Sequence, residues 1–359
     1  RFDNPPNKDD WYETIKLNYG VDYCNPCGEH TEHFDPIPST WKKMTDILLF
    51  WARKGVDGFR CDMAEMVPSA FWTYAIKEVK NEFPYILFIG EVYNPSLYDT
   101  YIQSGFDYLY DKVGMYDCVR GVIAGTRKPT EITKQWQATD HIKNKMLYFL
   151  ENHDEQRIAS PFFANDAEKG FPGVVVSSLL LPNPFMLYAG QELGEPGMDA
   201  EGFSGRDGRT TIFDYWGIDK LYRGYYKKNA LTAQEKVIWD KYNAILRIAS
   251  KEKVVSVGSF FDLMYANPLT SNFNSNSLYA FIRAYKQEVL LVVANFSDLE
   301  MQCAINIPRH AFEHLSLSEG QVNAVDLLTG ETTFQLFSPE KPFKVGIDPY
   351  GARVYKFIL

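Results

Sequence analysis

The sequence predicts an α/β protein: a parallel (β/α)8 barrel of the TIM type, followed by an all-β antiparallel sandwich domain. Apolar segments alternate with helix-like segments up to about residue 251, which is typical of a parallel sheet covered by helices. Three of these segments end in carboxylates, at Asp62, Glu91 and Asp154, and the intervals of 29 and 63 positions match one and two units of about thirty residues. From residue 252 the pattern changes to period-two alternation with short turns. We therefore predict a barrel domain over residues 1–251 and a sandwich domain over residues 252–359.

Composition narrows the classes of protein. The chain of 359 residues is 45% hydrophobic and contains no run of eighteen apolar residues, so we expect a globular protein without a membrane span. The formal net charge of −9 argues against a nucleic-acid partner, because such binding depends on concentrated Lys and Arg. Five cysteines at scattered positions do not indicate a disulfide framework. Nothing in the composition indicates an oligomeric state.

The first 37 residues are rich in Pro, Gly and Asn and are predicted to be irregular. Cys24, Cys27, His30 and His33 fall at intervals of three, which would suit a metal cluster. The His-x-x-His spacing is tighter than in usual zinc sites, so a local disulfide or free thiols are favoured. Metal binding by this group is left open.

Helices are predicted before and after the strand that ends at Asp62. The first starts with Ser39 as N-cap and stops at Gly55. Its apolar residues recur at helical spacing and form one stripe: Trp41, Met44, Leu48 and Trp51. The second covers residues 68–82 and ends at Pro84.

Strands are predicted from short apolar runs. The parallel strands lie at residues 55–62, 86–91, 106–110, 146–150 and 185–188. A helix that closes the barrel opens at Thr232 with a capping box to Glu235. The antiparallel strands lie at residues 277–282, 289–293, 303–307 and 352–357.

The predicted strand at residues 55–62 has one face for packing and one face for chemistry. Because side chains alternate along a strand, Gly58, Arg60 and Asp62 share one face. Arg60 can orient Asp62 and keep it ionised, as a nucleophilic carboxylate requires, although such pairs also occur for purely structural reasons. Catalytic groups of parallel barrels lie at the carboxyl ends of the strands.

Three motifs resemble signature regions of the alpha-amylase family of glycoside hydrolases, glycoside hydrolase family 13. The segments 58–62, 90–91 and 149–154 resemble its second, third and fourth regions. Residues 188–192 are similar to the end of its eighth strand, and residues 349–355 to the end of its β domain. The order and spacing agree from about residue 10 to the C-terminus.

The resemblance implies hydrolysis of α-1,4-glucosidic bonds in starch-like glucans or maltooligosaccharides, with retention at the anomeric carbon. Asp62 would be the nucleophile and Glu91 the general acid and then base. Asp154 would hold sugar hydroxyls and distort the ring, and His153 would donate to the same sugar. Arg60 would orient Asp62. The acid step needs a protonated Glu91, which burial and the neighbouring Asp62 charge would favour.

Arg157, three residues after Asp154, matches a common position of the family. The resemblance implies that it braces the site, and a surface cation is the open alternative.

The chain departs from the family pattern in two respects. The strands found are equivalent to the fourth to the eighth, so we expect the chain to be the C-terminal part of a longer protein. Calcium-dependent members carry a His four residues after the nucleophile, where this chain has Met66. The implied chemistry therefore requires no cofactor, and a structural calcium ion is unsupported.

Two alternatives stay open. A transglycosylase of the same family would use the same glycosyl-enzyme intermediate and pass the sugar to another sugar. A non-catalytic glycan-binding relative or an inactive fragment would share the fold, although all three carboxylates are kept here. The implied substrate slightly favours a secreted or periplasmic location over a cytoplasmic one, and the compartment is left open.

Overall fold

The computed structural model describes residues 17–22, 29–199, 206–210 and 217–359. The predicted motif residues Cys24 and Cys27 lie outside these ranges. The chain forms two compact units, one of residues 1–113 with 145–147 and the other of residues 114–144 with 148–359. The predicted domain boundary at residues 251 and 252 stays a prediction.

The first unit contains the start of a parallel sheet with helices between its strands. Its elements are β1 (Val21–Asp22), β2 (Thr31–Glu32), α1 (Ser39–Arg53), β3 (Gly58–Cys61), α2 (Ser69–Glu82), β4 (Leu87–Gly90), α3 (Tyr98–Gln103), β5 (Tyr108–Tyr110) and the first residues of β6 (Met146–Phe149). β3, β4, β5 and β6 pair in parallel in that order. Each predicted parallel strand is present; β3 is four residues shorter than the predicted run 55–62 because it begins at Gly58 and ends at Cys61, and the others are one or two residues shorter than expected.

Helices α1 and α2 show where the apolar pattern was right and where it was wrong. α1 begins at Ser39 itself with Pro38 in the N-cap position, so Ser39 is not the cap. Trp41 is buried, but Trp51 is half exposed. At about 100° per residue, ten residues place Trp51 about 80° from Trp41, at the edge of the buried stripe. The expected apolar face of α2 is confirmed: Phe71, Trp72, Ala75, Ile76 and Val79.

The second unit continues the parallel arrangement. Its helices are α4 (Asp117–Ile123), α5 (Glu131–Ala138), α6 (Phe171–Leu179), α7 (Asp219–Tyr226), α8 (Ala233–Lys251) and α9 (Lys253–Val257). The last two residues of β6 pair in parallel with β7 (Phe185–Met186). The capping box at the start of α8 is confirmed, since the Thr232 side chain accepts from the Glu235 N–H and the Glu235 carboxylate accepts from the Thr232 N–H. None of the helices in the described ranges is long and apolar enough to cross a bilayer.

The antiparallel part of the second unit begins at Ser259. Its elements are β8 (Ser259–Asp262), β9 (Leu278–Tyr285), β10 (Glu288–Asn295), β11 (Met301–Ile305), α10 (Arg309–Leu315), β12 (Gly320–Asp326), β13 (Thr332–Phe337), β14 (Phe343–Ile347) and β15 (Ala352–Ile358). One sheet has the order β13-β12-β15-β10-β9-β8 and the other pairs β11 with β14. Rings from the two sheets pack together, with Phe343 of β14 stacked on Phe357 of β15 at 6.3 Å between centroids. Four of these strands, β8, β12, β13 and β14, were not predicted.

Candidate active site

The first part of the candidate site lies where β3 and β4 end. Their parallel register pairs Cys61 with Gly90, so the next residues, Asp62 and Glu91, leave the sheet side by side. The Glu91 N–H donates to the Cys61 carbonyl at 3.1 Å, which extends the pairing by one residue. The backbone therefore brings the two predicted carboxylates to the same edge.

One arginine contacts both carboxylates. Arg60 Nη1 donates to Asp62 Oδ1, and Arg60 Nη2 lies 2.9 Å from Glu91 Oε1. The two nitrogens belong to one rigid plane, so the carboxylates are held close together in a fixed geometry. The prediction that Arg60 contacts Asp62 is confirmed, and its contact with Glu91 was not foreseen.

The environment of Arg60 stabilises its charged form. Burial lowers its pKa, but hydrogen bonds with Tyr110 and Asp62 and the charge of Glu91 outweigh that effect and raise the pKa above the usual value. Its guanidinium carbon also lies 5.4 Å from the centre of the Tyr110 ring. Arg60 is therefore a permanent cation between two acidic side chains.

The two carboxylates have different surroundings. The Asp62 side chain is 70% exposed, whereas that of Glu91 is 7% exposed. Glu91 Oε2 accepts from the Met63 N–H at 2.8 Å, and Glu91 Oε1 accepts from the Tyr93 hydroxyl at 2.9 Å. An open carboxylate suits nucleophilic attack, and a buried one with fixed hydrogen bonds suits proton transfer.

Two of these partners could not be assigned from the sequence. Met63 has φ of +43°, in the left-handed region, and this conformation accompanies the turn of its N–H towards Glu91. Tyr93 stands two residues after Glu91, a spacing that places both side chains on one face of an extended segment. That spacing is the one signal in the sequence that could have indicated the contact.

A second group of predicted residues, in the second compact unit, follows β6. Asn152 Oδ1 accepts from the N–H groups of Asp154 and Glu155 at 2.9 Å each, which shapes the turn. His153 Nε2 lies 3.2 Å from Asp154 Oδ2. The structure thus brings His153 and Asp154 together at a partly exposed turn. Their convergence with Asp62 and Glu91 stays a prediction.

Arg157 is fully buried, so the alternative of a surface cation is wrong. It donates to Glu151 at 2.7 Å, to the Ala189 carbonyl at 2.8 Å and to Thr210 Oγ1 at 2.7 Å, and it lies over the Tyr188 ring. Burial raises the pKa of Glu151, and the charge of Arg157 offsets this only in part. This pair braces the segment that carries His153 and Asp154.

The metal prediction is not decided. His30 lies 3.8 Å from Glu32, and His33 is exposed, but their expected cysteine partners fall outside the described residues. Within the described ranges no group of three or more His, Cys, Asp or Glu side chains could hold a metal ion. The calcium expectation also stays a prediction.

Parallel strands joined by helices, with two carboxylates on one arginine where neighbouring strands end, define an α/β protein with a paired-carboxylate site. The family model described as the catalytic domain of alpha amylase matches residues 37–240, more than half of the chain. The chain belongs to this family.

Curated relatives and solved structures agree with the family and the fold. Neopullulanase 2 of Thermoactinomyces vulgaris is 22% identical over 321 residues, which are 88% of this chain and 48% of that protein. Alpha-amylase 3 of Dictyoglomus thermophilum is 24% identical over 282 residues, 73% of this chain and 54% of that protein. The chain thus spans about half the length of these relatives.

Among solved structures, the maltogenic alpha-amylase AmyB of Thermotoga neapolitana superposes with a TM-score of 0.66. The sequence identity is 18%, and the match covers 96% of this chain and 72% of that one. The predicted fold class, a TIM-type barrel with a C-terminal antiparallel β domain, is confirmed.

Proposed function

We propose that the protein is a retaining glycosidase that cleaves α-1,4-glucosidic bonds in starch-like glucans or maltooligosaccharides. The observation that carries the proposal is the pairing of an exposed Asp62 and a buried Glu91 on Arg60. In retaining enzymes the two carboxyl groups lie about 5 Å apart, so that one can bond directly to the sugar. Carboxylates that share one guanidinium satisfy this demand for closeness.

In the first proposed step, an Asp62 oxygen attacks the anomeric carbon and forms an ester. The bond to the glycosidic oxygen breaks, and Glu91 gives its proton to that oxygen. In the second step Glu91, now a carboxylate, takes a proton from water. The water oxygen bonds to the anomeric carbon, and the ester to Asp62 breaks with retention of configuration.

The other predicted residues assist these steps. Arg60 orients Asp62 through its hydrogen bond and places a permanent positive charge beside it. Asp154 and His153 hold hydroxyls of the reacting sugar, a role that their exposure on the turn after β6 permits. Nucleophile, acid and base all come from the chain itself, so the proposed reaction uses no cofactor.

The relatives support the substrate class, since they are a neopullulanase and alpha-amylases. The transglycosylase alternative shares the first step and differs in the acceptor, which is a sugar hydroxyl instead of water. Product analysis separates the two, because transfer yields oligosaccharides longer than the substrate.

The test is release of reducing ends from soluble starch and maltoheptaose by the parent chain, Asp62→Asn and Glu91→Gln. We expect Asp62→Asn to lower kcat by about 10⁴-fold or more, and Glu91→Gln by about 10²- to 10⁴-fold. Glu82→Gln, which alters an exposed carboxylate paired with Arg53, is the matched control. Proton NMR of the first product should show the α-anomer. A near-parental rate in Asp62→Asn would overturn the assignment.

A further inference from the structure

We propose that Tyr93 is the hydrogen-bond partner that lets Glu91 alternate between acid and base, and that Glu65 is the positioning residue that holds Tyr93 in place. The proposal rests on the proposed function, because it deepens the role of Glu91. Both residues lie in the first compact unit, with the carboxylates that they serve.

Several hydrogen-bond donors surround the Glu91 carboxylate. The Met63 N–H, the Arg60 guanidinium and the Tyr93 hydroxyl all lie within 3 Å of its oxygens. An amide N–H and a guanidinium can only donate, whereas a hydroxyl can both donate and accept. Tyr93 is therefore the member of this set that can accept a hydrogen bond from the O–H of the protonated acid as well as donate one to the carboxylate. It donates to the carboxylate, and after rotation of its O–H it accepts from the protonated acid.

Glu65 fixes the backbone from which Tyr93 projects. Glu65 Oε2 accepts from the N–H of Tyr93 at 3.2 Å and from the N–H of Asn94 at 2.9 Å. Glu65 lies three residues after Asp62, in a short helical turn at Ala64–Met66. Its carboxylate thus ties the segment after β3 to the segment after β4, and this tie sets the position of the Tyr93 ring.

The effect of the Tyr93 hydrogen bond on Glu91 can be measured separately from the effects of the charges around Glu91. The titratable groups that face it are Asp62 and Arg60 from the end of β3, Tyr93 on its own segment, Tyr110 through Arg60, and Glu65 behind the Tyr93 backbone. Replacing Tyr93 by Phe removes one hydroxyl and leaves the formal charge of this group unchanged. Any change in the behaviour of Glu91 then reports the hydrogen bond.

The kinetic test compares the pH dependence of kcat/KM on maltoheptaose for the parent, Tyr93→Phe, Glu65→Ala and Glu65→Gln. A hydrogen bond to an ionised carboxylate is stronger than one to the neutral acid. We therefore expect Tyr93→Phe to move the basic limb about one pH unit upwards and to lower the maximal kcat/KM about tenfold. Glu65→Ala should move it in the same direction. Glu65→Gln keeps an oxygen acceptor for the two N–H groups and should recover most of the parental profile.

A double variant separates positioning from general structural support. If Glu65 acts through Tyr93, Glu65→Ala should not shift the limb further in the Tyr93→Phe background. A merely structural Glu65 would lower the free energy of unfolding without moving the pH profile. Equal shifts in both backgrounds, or no shift in Tyr93→Phe, would overturn the proposal.

A second measurement does not need turnover. Infrared difference spectra of protein labelled with ¹³C-glutamate, with Glu91→Gln to assign the band, give the pH midpoint at which Glu91 protonates. Tyr93→Phe and Glu65→Ala should raise this midpoint, and Glu82→Gln should not. An inactive parent whose midpoint responds in this way would contradict the proposed function and support the contact network. An unchanged midpoint would overturn the inference whatever the activity.

Discussion

Arg60 and Arg157 both contact a carboxylate near the end of a parallel strand, but their surroundings are opposite. Arg60 is shared by two carboxylates, of which Asp62 is 70% exposed. Arg157 is completely buried with Glu151, and its other donors bond to the Ala189 carbonyl and the Thr210 hydroxyl. An arginine whose carboxylate partner remains exposed to solvent can therefore take part in catalysis. An arginine whose donors are bound to the fold serves the structure.

The largest expected effect tests the structural side of this comparison. Arg157→Met would leave Glu151 buried without its counter-charge, so the free energy of unfolding should fall by about 3–5 kcal/mol. Urea unfolding followed by far-ultraviolet circular dichroism measures the loss. Arg53→Met, which removes an exposed ion pair with Glu82, is the control and should show no measurable change. A similarly small effect of Arg157→Met would contradict the distinction between a structural Arg157 and a catalytic Arg60.

The next effect tests the chemical side. Arg60→Met removes the shared cation from Asp62 and Glu91, so kcat/KM on maltoheptaose should fall about 100-fold. Its free energy of unfolding should fall less than that of Arg157→Met, because Asp62 can be solvated and the buried Glu91 keeps its hydrogen bonds from the Met63 N–H and the Tyr93 hydroxyl. Arg60→Lys should recover only part of the rate, since one ammonium cannot bridge two carboxylates as a planar fork does. Loss of activity in step with loss of folded protein would argue for a structural role instead.

The smallest effect adds a third arginine and concerns pH. A hydrogen bond from Arg223 lowers the pKa of Glu235 to about 2, against the opposing effect of burial. Because the folded pKa lies below the unfolded one, the stabilisation is present above about pH 4.3 and is lost as the pH falls towards 2. After allowance for solvent screening we expect a loss of about 1 kcal/mol.

Urea unfolding at pH 5 and pH 3 measures this loss, with Glu235→Gln as the variant that lacks it. The two glutamates that pair with arginines differ in the direction of their pKa shifts, because the pKa of Glu151 is raised whereas that of Glu235 is lowered. Burial is the cause of the upward pKa shift of Glu151, and the hydrogen bond from Arg223 is the cause of the downward pKa shift of Glu235. An equal acid response in the parent and Glu235→Gln would contradict the assignment.

The local pattern of residues was sufficient to predict several elements of the fold. The capping box of Thr232 and Glu235 lies within four consecutive residues, and its geometry is as predicted. The apolar face of α2 and the existence of the five parallel strands followed from periodicity and length. β13 was missed because it is only partly buried and its apolar alternation is weak. β12 and β14 alternate buried residues with exposed or half-buried ones, so their period-two signal was present in the sequence and was overlooked.

The sequence by itself determined that Asp62 and Glu91 stand at the ends of successive strands with an arginine beside Asp62, because strand period and repeat length are local properties. Only the tertiary structure decided which groups meet them. The Met63 N–H reaches Glu91 across 28 positions, Glu65 reaches Tyr93 across 28, and Arg157 reaches Thr210 across 53. Contacts over such separations depend on how the strands pair and the segments between them fold, and no local pattern of residues specifies them.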